Sequence, residues 1–184
     1  MEPAVKPGSE ERKIPEEKPK KRRSPMRQSQ RFVLHALIIL TAVWVMFGWL
    51  FGITTAPSGD MYPRIDMGDL VLFYRLAGSY KAQDTVVLTK NGTRYIGRVV
   101  AAAGDEVTVD EGLYINGSQM IEPNIFFPTP QYEGFVEYPL KLAEDEVFIL
   151  TDRRDGGEDS RYYGPVRLSE IDGLIITIVR RTNL

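Results

Sequence analysis

The longest uninterrupted run of apolar residues lies near the N-terminus of the chain. Residues 32–53 (FVLHALIILTAVWVMFGWLFGI) are 22 positions without an Asp, Glu, Lys or Arg. At about 1.5 Å of rise per residue, a helix of this length crosses the roughly 30 Å hydrocarbon core of a bilayer. A cleavable signal peptide is the competing interpretation, but its apolar region is only about 7–15 residues long. The pattern therefore predicts a retained transmembrane anchor over residues 32–53.

Beyond this helix the apolar positions fall in short runs that are rich in β-branched and aromatic residues. Such runs, bounded by turn residues, predict β-strands. The predicted strands are 69–76, 85–89, 94–100, 107–109, 113–115, 147–150 and 174–179. Few of them alternate with helical periods, so the pattern predicts a mainly β, antiparallel domain over residues 56–184, built as a barrel or sandwich.

Two Asn-Gly pairs, Asn91-Gly92 and Asn116-Gly117, fall between these runs. Asn-Gly is the pair that favours a two-residue hairpin turn. Both pairs also match glycosylation sequons. The hairpin explains them without modification, so we predict turns.

The segment 126–138 (FFPTPQYEGFVEY) breaks the strand pattern with two prolines, a glycine and five aromatic residues. It predicts a loop laid over the core. An exposed aromatic loop could instead contact lipid or a partner, or it could cover a binding groove.

Charge divides the chain into two parts. Residues 1–31 hold ten Lys+Arg against five Glu, a net charge of +5, whereas residues 32–184 hold 13 Lys+Arg against 20 Asp+Glu, a net charge of −7. A tail without apolar periodicity cannot bury enough surface to offset the entropy of ordering, so residues 1–31 are predicted to be a disordered basic tail. Positive charge beside an apolar helix places that tail in the cytoplasm and the C-terminal domain outside the cell. Contact with anionic lipid explains the basic cluster better than nucleic-acid binding.

The composition limits the chemistry that the chain can support. It has no cysteine and one histidine, and that histidine, His35, lies in the predicted anchor. Disulfides, thiolate catalysis and cysteine-rich metal sites are excluded, and no cluster of metal ligands or cofactor motif is visible. We therefore expect neither a metal nor an organic cofactor.

Four short stretches after the helix carry the candidate chemistry. They are SGDMYP at 58–63, GDLV at 68–71, IGRVVAAAGD at 96–105 and DRRDGGEDSR at 152–161. In this order they resemble the sequence boxes of the bacterial type I signal peptidases (peptidase S26), membrane-bound serine proteases that remove signal peptides outside the cell. Each box alone is a weak signal. Together they imply the signal-peptidase fold, an antiparallel β domain preceded by one transmembrane helix.

The two positions that carry catalysis in this family are different here. The resemblance places Asp60 at the position of the nucleophilic serine and Gly97 at the position of the general-base lysine. A hydroxyl needs an adjacent base to act as a nucleophile, and both partners are absent. The nearest groups that could replace them are Asp66, Asp69, Lys81 and Lys90. We therefore predict a pseudoenzyme with no catalytic residues.

Other positions of this degenerate site keep the family's residue types. They are Ser58, Met61, Pro63, Arg98, Asp159, Ser160 and Arg161. In active relatives the counterpart of Ser58 helps to bind the oxyanion, and the Asp-Ser-Arg turn supports the base. Here we expect Asp159, Ser160 and Arg161 to have a structural role. A static interaction could also replace the serine–lysine dyad of the family. In it, Asp60 accepts a hydrogen bond from Arg98 or from a donor of this turn. The alternative for Arg98 is that it points into solvent.

Aspartate and glycine at the two catalytic positions resemble a small subset of the family that acts in the assembly of covalent, sortase-dependent pili of Gram-positive bacteria. This resemblance implies a non-proteolytic, membrane-anchored chaperone or scaffold that binds pilin subunits or a sortase. An extended groove can bind a peptide without the dyad. Two alternatives are an active signal peptidase with an atypical site and a structural membrane protein whose groove is occluded.

Overall fold

A computed structural model describes residues 25–180 of the chain. Its N-terminal element is the helix α1 (Pro25–Val45), which continues as a π-helical turn (Met46–Leu50). Within these elements the stretch Arg27–Leu50 has 24 residues and is long and apolar enough to cross a membrane. The predicted tail overlaps this helix at residues 25–31, and its residues 1–24 lie outside the described residues.

The predicted C-terminal boundary of the anchor is wrong. Residues 51–53 belong to the strand β1 (Phe51–Thr55), which pairs with the next strand of the domain, Gly52 opposite Phe73. Gly52 is required there because a Cβ atom would lie 2.2 Å from the Phe73 ring. The alternation of β1 is hidden in the sequence because its residues are as apolar as those of the helix before it.

The β domain contains two antiparallel sheets. The first has seven strands in the order β1-β2-β11-β3-β4-β9-β10, and the second has four in the order β7-β6-β5-β8. The strands after β1 are β2 (Leu70–Tyr74), β3 (Thr85–Lys90), β4 (Thr93–Ala101), β5 (Glu106–Val109), β6 (Leu113–Ile115), β7 (Ser118–Gln119), β8 (Leu140–Lys141), β9 (Glu146–Leu150), β10 (Val166–Arg167) and β11 (Ile171–Val179). A short helix α2 (Ser160–Tyr163) and a 3-10 turn (Leu168–Glu170) lie near the C-terminus. The seven predicted strands and the mainly β, antiparallel class are confirmed.

Both predicted hairpin turns are present. Asn91 and Gly92 join β3 to β4, and Asn116 and Gly117 join β6 to β7, all four with positive φ between 52° and 80°. A two-residue hairpin loop requires this conformation, because it matches the right-handed twist of the two strands that the loop joins.

The core forms three apolar clusters. One lies between the small sheet and the ends of β4 and β9, and it includes Val107 and Phe148. A second, around Met61 and Phe73, packs on one face of the large sheet. The third, around Val99 and Ile149, packs on the opposite face. Strand β4 contributes to all three clusters, because alternate residues point to opposite faces.

Candidate functional site

The first and last boxes of the degenerate site meet through backbone and core contacts. The Arg153 N–H donates to the Asp60 carbonyl oxygen over 2.8 Å. Next to it Met61 is buried, and its sulfur lies 3.4 Å from the Asp152 nitrogen. Pro63 lies in the turn that follows, on the wall of a cavity. The chain therefore brings Asp60 beside the 152–161 segment, as the family resemblance predicts.

The carboxylate of Asp60 accepts a hydrogen bond from its own turn. The Ser58 hydroxyl donates to Asp60 Oδ2 over 2.7 Å. A serine hydroxyl has a single proton to donate. In this arrangement that proton is directed at a carboxylate, so Ser58 is not free to stabilise an oxyanion.

Replacing Asp60 with alanine is expected to change the stability little. The carboxylate is half-buried and its hydrogen bond is local, and such a bond is worth about 1 kcal/mol. We expect a loss of no more than ~1 kcal/mol in the free energy of unfolding, measured by urea denaturation of the full chain in detergent micelles. A loss above ~3 kcal/mol would show instead that Asp60 is a static clamp of the fold.

Gly97 lies in the middle of β4, opposite Val86 of β3. A Cβ atom at this position would lie 2.4 Å from Cγ2 of Ile149 and 3.3 Å from the carbonyl oxygen of Leu150. Cγ2 is the branch of a β-branched side chain, and such a side chain has little rotamer freedom. The space in which a side chain at position 97 would begin is therefore filled by the neighbouring strand β9.

Arg98 does not contact Asp60, and that version of the static replacement is wrong. The guanidinium forms a bidentate ion pair with Asp152, with Nε 2.7 Å from Oδ1 and Nη2 2.5 Å from Oδ2. Its Nη1 donates to the Gln83 carbonyl oxygen over 3.1 Å. The alternative that Arg98 points into solvent is also wrong, because the residue is 5% exposed. Such a two-point ion pair is among the strongest contacts that a guanidinium forms.

The Asp-Ser-Arg turn is fully buried and fully hydrogen-bonded. The Arg161 Nε and Nη2 atoms donate to the two carboxylate oxygens of Asp159 over 2.9 and 2.7 Å. Asp159 also accepts from the hydroxyl and the N–H of Thr151. Ser160 Oγ accepts from the N–H of Ile149 over 3.0 Å. These contacts connect α2 and the residue before it to β9 and Thr151.

Arg161 is charged despite its burial. Burial alone would lower its pKa, but the hydrogen bonds with Asp159 outweigh burial and raise the pKa above its usual value. Burial raises the pKa of the neighbouring Tyr132, although the charge of Arg161 opposes this rise. Tyr132 is therefore a neutral phenol, and its ring lies 4.3 Å from the Arg161 guanidinium.

The predicted loop 126–138 packs on the arginines of the 152–161 segment. The Arg161 Nη1 atom donates to the Pro130 carbonyl oxygen. The Tyr132 hydroxyl donates to the Gly157 carbonyl oxygen. Arg154 Nη1 lies 3.1 Å from the hydroxyl of Thr129. Phe126 at one end of the loop is 76% exposed. The loop therefore covers the polar turn with its middle and leaves an aromatic side chain in solvent.

Several residues that shape the site cannot be recognised in the sequence. Arg154 is completely buried and forms a bidentate ion pair with Glu122 at 2.7 and 2.8 Å. The two residues are 32 positions apart and Glu122 belongs to none of the four boxes. The repeated arginine in DRRD was the available signal for Arg154, and only the register of β4 against β9 identifies Ile149.

The lysines and aspartates named as possible replacements are paired or exposed in the part of the chain that the structure describes. The Lys90 ammonium is held by Glu170 at 2.8 Å and by the Pro165 carbonyl oxygen. Lys81 is exposed at the surface. Asp66 and Asp69 are used within their own turn, where the Asp66 N–H donates to the Asp69 carboxylate. Between residues 25 and 180 no group of acidic or histidine side chains is arranged to hold a metal ion.

The comparisons with known proteins agree with the resemblance. A family model described as signal peptidase, peptidase S26, matches residues 29–179. The chain is 29% identical over 129 residues to the probable signal peptidase I-2 of Synechocystis sp., a match that covers 64% of this chain and 57% of that protein. It is 37% identical over 90 residues to the plasmid transfer protein TraF of Escherichia coli, which covers 45% of this chain and 47% of that protein. The chain thus spans less than two thirds of the length of these curated relatives.

Among solved structures, a crystal structure of a signal peptidase I from Enterococcus faecalis V583 is similar to this chain. The TM-score is 0.44 and the sequence identity 25%, and the match covers 53% of this chain and 97% of that chain.

Proposed function

Because the chain belongs to the signal peptidase family, peptidase S26, we propose that it is a non-proteolytic member that works as a membrane-anchored chaperone or scaffold. Its role is in the assembly of covalent, sortase-dependent pili, where it binds pilin subunits or a sortase. The observation that carries the proposal is the packing at position 97. Ile149 fills the space that a general base would need, and no described lysine lies in its place.

The hydrogen bond within the first box supports the same conclusion. Asp60 cannot form the acyl intermediate that a serine forms, and its carboxylate occupies the Ser58 hydroxyl. Proteolysis by carboxylates needs two of them that share a water. The second carboxylate near the site, Asp152, is already paired with Arg98. Neither mechanism has a complete set of groups among the described residues.

Peptide binding does not need these groups. Strand β1 lies at the edge of the seven-stranded sheet and is paired on one side only, with β2. An unpaired strand edge can accept an extended peptide through main-chain hydrogen bonds. The domain therefore offers a binding edge that begins directly after the apolar helix.

The sheet carries exposed apolar side chains beside this edge. Ile53, Leu70 and Val179 lie on neighbouring strands and are 56%, 41% and 56% exposed. Adjacent exposed apolar residues of this kind mark an interaction surface. We place the N-terminus in the cytoplasm and the β domain outside the cell, because the basic tail precedes the span.

The pilin or sortase partner rests on the resemblance to the pilus-assembly subset. That resemblance is carried by Asp60 and Gly97 together. The relative named as a plasmid transfer protein is a similar chain whose name refers to transfer rather than to signal-peptide removal. The identity of the partner and the absence of proteolytic activity therefore need separate tests.

The proposal predicts that pilus assembly depends on this protein but not on Asp60 as a chemical group. A Gram-positive strain that makes sortase-dependent pili and lacks this protein should lose polymerised pili on immunoblots of the cell wall. The wild-type chain and the Asp60→Ala variant should both restore them, because binding is retained. Crosslinking in native membranes should capture a pilin subunit or a sortase with both chains.

The alternative of an atypical active peptidase predicts a different result. It requires the Asp60→Ala variant to fail in complementation while its expression and melting are normal. Complementation without capture of any pilin or sortase would contradict the proposed partner instead.

A further inference from the structure

A cavity of about 620 Å³ lies beside the degenerate site and is not used by the proposed peptide edge. Pro63 and Asp152 line it, and so does the segment 121–126. Two residues of that segment, Ile121 and Phe126, are 88% and 76% exposed. A second cavity, of about 590 Å³, adjoins it and shares Arg64, Gln83 and Arg180 with it. The two cavities adjoin at these three residues, and together they are called the groove.

The charged side chains around this groove are not all paired. The carboxylates in the wall of the first cavity, Asp152 and Glu122, are each held by a buried arginine. By contrast, the exposed side chains of Arg64 and Arg180 form no ion pair with any residue from 25 to 180. Arg180 has one hydrogen bond there, from Nη2 to the Pro63 carbonyl oxygen over 3.1 Å. Asp84, which lines the second cavity, also has no ion pair among these residues, and its carboxylate accepts from the Lys81 N–H. Between residues 25 and 180 the groove therefore presents two arginines without an ion-pair partner, on a domain whose net charge is negative.

The position between the two cavities has an unusual backbone. Gln83 has a φ of 79°, in the left-handed region that a residue with a side chain rarely adopts. Its N–H donates to the Val99 carbonyl oxygen, and its own carbonyl oxygen accepts from Arg98, so both neighbours hold it in place. The exposed side-chain amide lines both cavities. Residues held in such conformations cluster at sites of function.

We infer that this groove binds an extended, acidic segment of an exported protein, with carboxylates on Arg64 and Arg180 and an apolar side chain against Ile121 and Phe126. The inference rests on the proposed function, because it supplies a second contact for the same exported partner. It differs from edge pairing in its chemistry. Edge pairing on β1 is main-chain recognition, whereas this groove selects the charge of a side chain.

A phospholipid headgroup is the other anion that two arginines could bind. The groove lies by the Pro63 and Arg180 end of the sheet, and β1 leaves the π-helical turn at Phe51, near the opposite end of β2. Two adjoining cavities with exposed Ile121 and Phe126 beside the arginines are longer and more apolar than a phosphate group requires, so an extended peptide fits them better than a headgroup.

The test uses the full chain in dodecylmaltoside micelles and fluorescence polarisation. The probe is a fluorescein-labelled decapeptide in which Asp and Glu alternate with Leu, and the control peptide has Asn and Gln in place of the acids. We expect saturable binding of the acidic peptide that weakens with added salt. In the Arg64→Gln/Arg180→Gln double variant the affinity should fall about tenfold, since each exposed ion pair contributes a few-fold.

Two further variants make the test specific. Arg167→Gln removes an exposed arginine outside both cavities and should leave the affinity unchanged. Gln83→Gly should lower the affinity while the melting temperature is kept or raised, because glycine adopts a positive φ without strain. A merely structural Gln83 would lower the melting temperature and leave the affinity unaltered.

The inference would be overturned if the acidic peptide did not bind, or if the chain bound the acidic and the control peptide with equal affinity. It would also be overturned if the double variant bound the acidic peptide as tightly as the wild-type chain does. Binding of short-chain phosphatidylglycerol in place of the peptide, lost in the double variant, would overturn it in favour of a headgroup. The proposed function would fail for different reasons. It fails if the wild-type chain cleaves a signal peptide, or if the wild-type chain captures neither a pilin subunit nor a sortase. If capture persists while the double variant binds the peptide normally, only the groove assignment fails.

Discussion

Replacing Asp159 with alanine is expected to destabilise the β domain by about 3–5 kcal/mol. The side chains of Asp159 and Arg161 are 1% and 0% exposed, so the substitution leaves a buried guanidinium without its carboxylate. It also removes the acceptor for the hydroxyl and the N–H of Thr151. Urea denaturation of the full chain in detergent micelles, followed by circular dichroism, measures this loss.

An exposed ion pair in the same segment provides the matched control. Arg153 and Asp155 lie 3.4 Å apart with side chains 54% and 40% exposed. The Asp155→Ala variant should therefore change the free energy of unfolding by no more than ~1 kcal/mol. Similar losses for both variants would contradict the structural role that we assign to the Asp-Ser-Arg turn.

Placing a side chain at position 97 is expected to have the second largest effect. In Gly97→Ala the new Cβ would lie 2.4 Å from Ile149 Cγ2, so β4 and β9 must shift, at a cost of about 1–3 kcal/mol. Gly97→Lys carries the same contact and a longer side chain. The control is Gly78→Ala, where no atom lies within 4 Å of the added Cβ and the effect should be neutral or slightly stabilising.

A compensating substitution separates this contact from other effects. Ile149→Leu nearly conserves the volume but removes the branch at Cβ. Added to Gly97→Ala, it should recover part of the lost stability, and a double-mutant cycle measures the coupling. Additive effects of the two substitutions would contradict the packing described for position 97.

The same packing has a consequence for restoring a catalytic dyad. The Asp60→Ser/Gly97→Lys variant recreates the residue types of an active signal peptidase, but the lysine must displace Ile149. We expect this variant to remain inactive. If the double variant cleaved a substrate while Ile149 was kept, position 97 would have room for a lysine without any change in the neighbouring strand.

Short runs of β-branched and aromatic residues, bounded by turn residues, were sufficient to predict most of the sheet. The pattern of β4 and β11, and the two Asn-Gly pairs, gave strands and hairpins in the right places. It failed at residues 51–53, since a lipid-facing helix and an edge strand that follows it are both apolar. Strands of two residues, such as β8 and β10, have no period to detect.

The candidate site was predictable as a set of segments but not as a set of contacts. The order of the four boxes indicates that Asp60 and the 152–161 segment belong to one site, and the structure brings them together. The partner of Arg98 is 54 residues away in sequence, so one carboxylate could not be chosen over another. The role of Ile149 depends on the register between two strands, which no local pattern encodes.

The most direct test of the central claim is a cleavage assay with the unmutated full chain. The chain in phospholipid nanodiscs is incubated with a pilin precursor that carries its signal peptide, and the products are identified by mass spectrometry. An active type I signal peptidase assayed in parallel shows that the substrate can be cleaved. We predict that the precursor stays intact with this chain. A product cut at the signal-peptide junction, lost in the Asp60→Ala variant, would contradict the account.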